Sequence, residues 1–146
     1  MKEKIYSYLL VSLQYTLIAV LLYLNGHYLL QIVPLGIFIA GFIVGIYAIH
    51  NNKRDNFNIS PEIKDGAKLV THGIYRYIRH PMYFSVALMM LGLIIYNPNM
   101  INISIYILMI LALFLKAKRE EKLWEAKSDK YIYYRQQTKM IIPYIL

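Results

Sequence analysis

The segment Ile5–Leu24 reads IYSYLLVSLQYTLIAVLLYL and contains no formal charge over about 20 residues. At about 1.5 Å per residue, a helix of this length crosses the roughly 30 Å hydrocarbon core of a bilayer. The segment Tyr28–Ile49 is a second uncharged run of similar length. It includes four residues that membrane helices tolerate and that suit close packing: Pro34, Gly36, Gly41 and Gly45.

Two shorter apolar segments follow, Met82–Tyr96 and Ile101–Leu115. Each has about 15 residues and would reach roughly 22 Å as a helix. To cross a bilayer they must extend at their ends, or the bilayer must thin locally; otherwise they form a hairpin that crosses only in part. The start of the chain resembles a signal-peptide n-region, but the first apolar run is too long and no small-residue cleavage site follows, which predicts a retained helix.

The composition also favours a membrane protein. Hydrophobic residues make up 58% of the chain and charged residues only 16%, against about 25% in soluble domains, and the mean hydropathy is +0.41. The absence of cysteine excludes disulfides and thiolate metal sites. A net charge of +8 on so apolar a chain suits anionic lipid headgroups better than nucleic acid, so we expect membrane lipids as partners and no nucleic acid.

The placement of the charges predicts the topology. Every Lys and Arg precedes the first segment, lies between the second and third, or follows the fourth, and the acidic residues fall in the same regions. The connectors Asn25–His27 and Asn97–Met100 contain no Lys, Arg, Asp or Glu. With four crossings, the positive-inside rule puts both termini and one polar cap in the cytoplasm.

These observations predict an all-α, multi-pass transmembrane protein with about four membrane helices and a C-terminal cytoplasmic helical extension. We interpret residues 1–146 as one domain, with two membrane helices in 1–50 and a loop, a helical hairpin and a tail in 51–146. The fourth helix should run on through Lys116–Lys127, before an aromatic stretch, Tyr131–Tyr134, and an end at Pro143.

The candidate chemistry begins in the middle loop, at residues 71–83, THGIYRYIRHPMY. A residue before proline avoids the α region, so His80 should be extended, and Pro81 suits the first position of the third helix. The positive end of that helix favours an anionic ligand group, and Arg79 could hold a carboxylate through two hydrogen bonds. Lys116 and Glu120, four residues apart, share a helix face, and Glu121 points roughly 100° away.

Each of these residues also has an ordinary structural interpretation. Arg79 and Lys116 could be interface anchors, and Lys116 with Glu120 could be an exposed pair worth a few tenths of a kcal/mol. His80 could be a structural hydrogen bonder, while the lack of cysteine and of a nearby acidic residue argues against a zinc site at His72 and His80. The residues alone predict a membrane protein with a polar cytoplasmic pocket.

The segment Gly73-Ile-Tyr75 to Arg79-His-Pro-Met-Tyr83 resembles the signature of the isoprenylcysteine carboxyl methyltransferase family and its small prokaryotic relatives. That family continues with a helical hairpin, a basic residue, a Glu-Glu pair and an aromatic tail that closes on proline. The matching residues here are Lys116, Glu120, Glu121, Tyr131, Tyr134 and Pro143. The resemblance extends over Ile59–Leu146.

The resemblance implies S-adenosyl-L-methionine as cofactor. By position, the cofactor-binding residues would be Ala67, Lys68, Leu69, Val70, Tyr75, His80, Pro81, Met82 and Tyr83, with Glu120 facing the cofactor's ammonium. Arg79 and Lys116 would be the catalytic residues that orient the acceptor. Two departures concern the acceptor: a lysine at 116 replaces the family's arginine and loses its planar two-point grip, and Lys127–Lys130 replaces a Phe-Gly element.

The resemblance predicts methylation of a carboxylate on a lipophilic or lipid-modified substrate. Three alternatives stay open: a phospholipid or amine N-methyltransferase with the same cofactor, an NADPH-dependent membrane reductase, and a non-enzymatic membrane scaffold. The reductases share an R-H-P-x-Y element, but they are typically longer and favour Asn where Met82 stands.

Overall fold

The computed structural model of the chain describes residues 2–56, 59–64 and 66–142, and the predicted end at Pro143 lies outside these ranges. The described residues form five α-helices: α1 (Lys2–Asn25), α2 (Ile32–Asn56), α3 (Pro81–Ile94), α4 (Met100–Lys127) and α5 (Asp129–Gln137). Two short 3-10 turns, Gly26–Leu30 and Gly73–Arg76, precede α2 and α3. The prediction of an all-α, multi-pass helical protein is confirmed.

Three of the helical segments are long and apolar enough to cross a membrane: Glu3–Leu30, Ile32–Asn52 and Met100–Lys127. Helix α3 has 14 residues, about 21 Å, and falls short of a full hydrocarbon core. The second segment begins as an α-helix at Ile32 and not at Tyr28, because a 3-10 turn precedes it. Helix α4 continues through Lys127 as predicted and ends where Ser128 adopts an extended backbone.

Helix α2 packs closely on α3 through two of its glycines. A Cβ on Gly41 would stand 2.7 Å from Met89 Cγ, and one on Gly45 would stand 2.6 Å from Ser85 Oγ. The Ser85 hydroxyl donates a 2.7 Å hydrogen bond to the Gly41 carbonyl. The prediction of close packing holds for these two glycines but is wrong for Gly36, around which a Cβ would meet open space.

Helix α1 packs mainly on α4, so the two N-terminal helices do not form their principal contact with each other. The core between α1, α3 and α4 contains Leu21, Leu93 and Met109. At the end where the chain turns between helices, Asn25 and Asn102 exchange side-chain hydrogen bonds of 3.1 and 2.8 Å. This buried amide pair brings the two uncharged connectors together.

At the opposite end, the tail folds back onto the loop that leads into α3. The Lys139 N–H donates to the Tyr77 carbonyl (3.0 Å), the Arg79 N–H donates to the Lys139 carbonyl (2.8 Å), and the His80 N–H donates to the Met140 carbonyl (2.9 Å). These bonds surround an isolated parallel β-bridge within the otherwise helical chain. They fix the backbone just before α3, where the candidate functional residues lie.

Candidate active site

His80 caps the N-terminus of α3, and Pro81 is the first residue of that helix, as predicted. The backbone of His80 avoids the α region, with φ −121° and ψ 59°, but it is not fully extended. Its buried imidazole lies between the two glutamates of α4. Nδ1 is 3.1 Å from Glu120 Oε2, and Nε2 is 3.5 Å from Glu121 Oε1.

Two carboxylates beside one imidazole favour its protonated form. Burial by itself lowers the pKa of His80, but the hydrogen bonds and negative charges of Glu120 and Glu121 outweigh it and raise the pKa above its ordinary value. The arrangement therefore supports an imidazolium that holds the start of α3 against α4.

Tyr83, one turn into α3, completes this contact. Its hydroxyl donates a 3.2 Å hydrogen bond to Glu120 Oε2, and its ring stacks on the His80 ring at 5.3 Å between centroids. Glu120 keeps 24% of its side chain exposed, whereas Glu121 keeps 3%. Of the two glutamates, Glu120 can therefore present its carboxylate to a ligand.

Arg79 has its partners within the protein. Its Nε donates to Glu121 Oε1 at 2.7 Å, and its Nη1 donates to the carbonyls of Thr138 and Arg135. The side chain is 8% exposed. The guanidinium thus connects the loop, α4 and the tail. That Arg79 binds a substrate carboxylate stays a prediction.

Lys116 is 2% exposed and lies beside Glu120 on α4, one turn earlier. Its Nζ donates to Gln14 Oε1 and, at 3.3 Å, to the Ile59 carbonyl, and it lies 5.1 Å from the centroid of the Tyr83 ring. It makes no ion pair with any carboxylate that the structure describes. The ammonium group of Lys116 is in contact with neutral oxygens and an aromatic ring.

These residues border a cavity of about 340 Å³, a size typical of small-molecule sites. Its polar end is formed by the loop, the start of α3 and the inner part of α4, with aromatic side chains of α4 and α5: Lys68, Tyr75, His80, Tyr83, Lys116, Glu120, Trp124, Tyr131 and Tyr134. Its apolar end lies among α1, α2 and α3: Tyr15, Phe42, Ile46, Ile49, Val86 and Met89.

We infer from the exposure of its lining residues that the apolar end opens sideways between α1 and α2. Tyr15, Phe42 and Ile46 line the cavity, yet each is about half exposed on the helical surface. This exposure follows from the helix packing, since α1 packs on α4 and α2 packs on α3. A long apolar group could therefore reach the polar end from the membrane side.

The family model for phospholipid methyltransferases matches residues 29–128, which is more than half of the chain. The chain belongs to the phospholipid methyltransferase family. It is an integral membrane methyltransferase, and the isoprenylcysteine carboxyl methyltransferases that its sequence resembles are a related membrane family. No curated protein and no solved structure matches the chain.

The structure of this methyltransferase brings nearly all of the predicted site residues to one cavity. Those that line it are Lys68, Leu69, Val70, Tyr75, Arg79, His80, Pro81, Met82, Tyr83, Lys116 and Glu120. Ala67 does not line it. Glu121 lies behind the cavity wall, in agreement with its predicted direction, but its contacts with Arg79 and His80 were not predicted.

Sequence reasoning missed the contribution of α1 and of the aromatic residue Trp124. Gln14 carried a usable signal, because an amide in the middle of an apolar membrane segment is costly unless it is bonded. Trp124 carried none, since a tryptophan near a membrane surface is an ordinary interfacial residue.

Two phenol hydroxyls at the polar end are buried and have no hydrogen-bond partner within the described ranges, those of Tyr75 and Tyr131. Burial, with the negative charge of the nearby glutamates, raises the pKa of both phenols, so they stay neutral donors. Buried polar atoms without partners are rare, and those beside a cavity are candidates to bind a ligand.

Proposed function

We propose that this methyltransferase uses S-adenosylmethionine to methylate a lipophilic acceptor at the membrane surface. The observation that carries the proposal is the 3.2 Å hydrogen bond between Tyr83 and Glu120, which joins the mouth of α3 to the inner end of α4 at the wall of the cavity. An accessible carboxylate in the cavity wall supports the binding of a cationic cofactor there.

The residues at the polar end fit the cofactor. Glu120 can pair with an ammonium group, and the hydroxyls of Tyr75 and Tyr131 can bond polar atoms of the ribose or the amino-acid part. Trp124 offers a flat surface for an adenine. When bound, S-adenosylmethionine supplies an already activated methyl group, so the protein needs chiefly to hold an acceptor atom in line, about 3 Å away.

The first candidate for the acceptor group is a carboxylate. It is anionic at neutral pH and needs no base, and the ammonium of Lys116, which lines the cavity, could pair with it. The residues of α1 and α2 along the opening would hold that chain. The product would be a carboxyl methyl ester.

The family match favours a second candidate, N-methylation of an amine such as a phospholipid headgroup. A protonated amine must lose a proton before its nitrogen can attack. The Glu120 carboxylate is a group at the polar end that can receive it.

One labelling experiment separates these candidates. Membranes that contain the protein are incubated with S-adenosylmethionine labelled in its methyl group, and the labelled lipids are treated with alkali. A methyl ester releases labelled methanol, whereas an N-methyl group survives. We expect a labelled product with the natural protein and none with the Glu120→Ala protein. If no membrane lipid becomes labelled, the result counts against the proposal.

Cofactor binding is tested separately by thermal unfolding of the purified protein in detergent. At a hundredfold excess over Kd, a ligand stabilises the folded state by about 2.7 kcal/mol. We expect stabilisation by S-adenosylmethionine and by its demethylated product. A shift with NADPH alone would favour a reductase, and no shift with any of the three would favour a scaffold.

A further inference from the structure

Gln14 of α1 contacts the site from outside the part of the chain that the family model matches. It is 5% exposed, lies in an apolar helix, and its Oε1 accepts a hydrogen bond from Lys116 Nζ. The two residues are 102 positions apart in the chain. A buried amide bonded to a buried ammonium defines where that ammonium lies.

The partners of Lys116 leave its charge uncompensated. Gln14 and the Ile59 carbonyl are neutral, and they use two of the three N–H donors of the ammonium within the described part of the chain. A buried cation that has no ion-pair partner attracts an anion, provided the anion can reach it. The lateral opening beside Tyr15 gives such access from the membrane side.

The cavity wall is therefore polarised. Lys116 and Glu120 are one helical turn apart on α4 and both line the cavity, but Lys116 bonds to Gln14 of α1, whereas Glu120 contacts Tyr83 and His80 at the start of α3. An anionic acceptor and a cationic donor would each find an oppositely charged group, and neither would compete for the other's position.

We propose that Gln14 positions the Lys116 ammonium so that the site selects lipophilic acceptors carrying an anionic oxygen, either a carboxylate or a phosphate. The proposal rests on the proposed function and narrows it to a substrate class. Gln14 is a positioning residue in this scheme, and Lys116 is the group that contacts the acceptor. A neutral lipophile would enter the same opening without this attraction.

The variant Gln14→Glu tests the proposal because it keeps the side-chain length and the oxygen acceptor but neutralises Lys116 with an ion pair. A matched control is Gln136→Glu, the same change at an exposed position of α5 that does not line the cavity. A purely structural role of Gln14 predicts that Gln14→Glu is tolerated with unchanged ligand selectivity.

Binding is measured in an uncharged maltoside detergent with two ligand pairs. N-oleoylglycine and its amide differ by a carboxylate, whereas dioleoyl phosphatidate and dioleoylglycerol differ by a phosphate. A charge-assisted hydrogen bond is roughly twice as strong as a neutral one, so the anionic member of at least one pair should bind the natural protein about tenfold or more tightly than its neutral partner. The pair that responds identifies the source of the anion.

We expect Gln14→Glu to abolish this advantage and Gln136→Glu to retain it. If Gln14→Glu does not fold, Gln14→Met, which has no acceptor oxygen, should reduce the advantage in the same direction. Equal binding within both pairs, or an advantage that survives both Gln14 substitutions, overturns the proposal. Binding of S-adenosylmethionine to the natural protein, measured alongside, reports separately on the proposed function.

Discussion

Replacement of Arg79 by alanine should act chiefly by destabilising the fold, and not by removing a group that contacts the substrate. The change removes the 2.7 Å partner of Glu121, a carboxylate that is 3% exposed, and the donor to two carbonyls of the tail. Removing one partner of a buried ion pair lowers the free energy of unfolding by about 3–5 kcal/mol. Glu121 keeps weaker contacts with His80 at 3.5 Å and Arg135 at 3.9 Å, so we expect the lower end, about 3 kcal/mol.

The measurement is equilibrium unfolding of purified protein in detergent, with Arg76→Ala as control. Arg76 lies in the same loop but is exposed, and its removal should cost less than about 0.5 kcal/mol. The double variant Arg79→Ala with Glu121→Ala should be more stable than Arg79→Ala, because no buried charge then lacks a partner. An Arg79→Ala protein as stable as the natural one, but inactive, would refute this reasoning and favour a direct grip on substrate.

Three further predictions concern the site and its support. Glu120→Gln should weaken S-adenosylmethionine binding about tenfold or more in calorimetry, and unchanged affinity would contradict the assignment. Because its pKa is raised in the folded protein, protonated His80 contributes its full stabilisation below pH 6.5, the ordinary pKa of histidine, and loses it as the pH rises through the raised pKa. Melting temperatures should show this decline with rising pH, and His80→Gln should flatten it. Gly41→Ala should cost about 1–3 kcal/mol because its Cβ meets Met89, whereas Gly36→Ala should cost nothing; equal effects would refute the packing argument.

The helices could be predicted from sequence because their signals are local. Uncharged runs mark α1, α2 and most of α4, and Pro81 marks the start of α3 to the residue. The 3-10 turn Gly26–Leu30 extends beyond the predicted connector Asn25–His27, since Tyr28, Leu29 and Leu30 suit a membrane helix equally well.

The cavity was predictable in part, through the meeting of Tyr83 with Glu120. Other contacts depend on how distant segments fold together. Arg79 reaches Glu121 only because the tail returns to the loop, and Gln14 reaches Lys116 only because α1 packs on α4 and not on α2. Helical periodicity does not predict where the tail returns or which helix α1 packs against.

The backbone bonds that join residues 77–80 to Lys139 and Met140 impose an order on biosynthesis. The ribosome makes Lys139 and Met140 after helices α1 to α4, and domains acquire structure as they emerge. These four helices can therefore be complete while the start of α3 still lacks its backbone hydrogen bonds to Lys139 and Met140. Competence to bind the methyl donor should therefore arise only after translation has passed Met140.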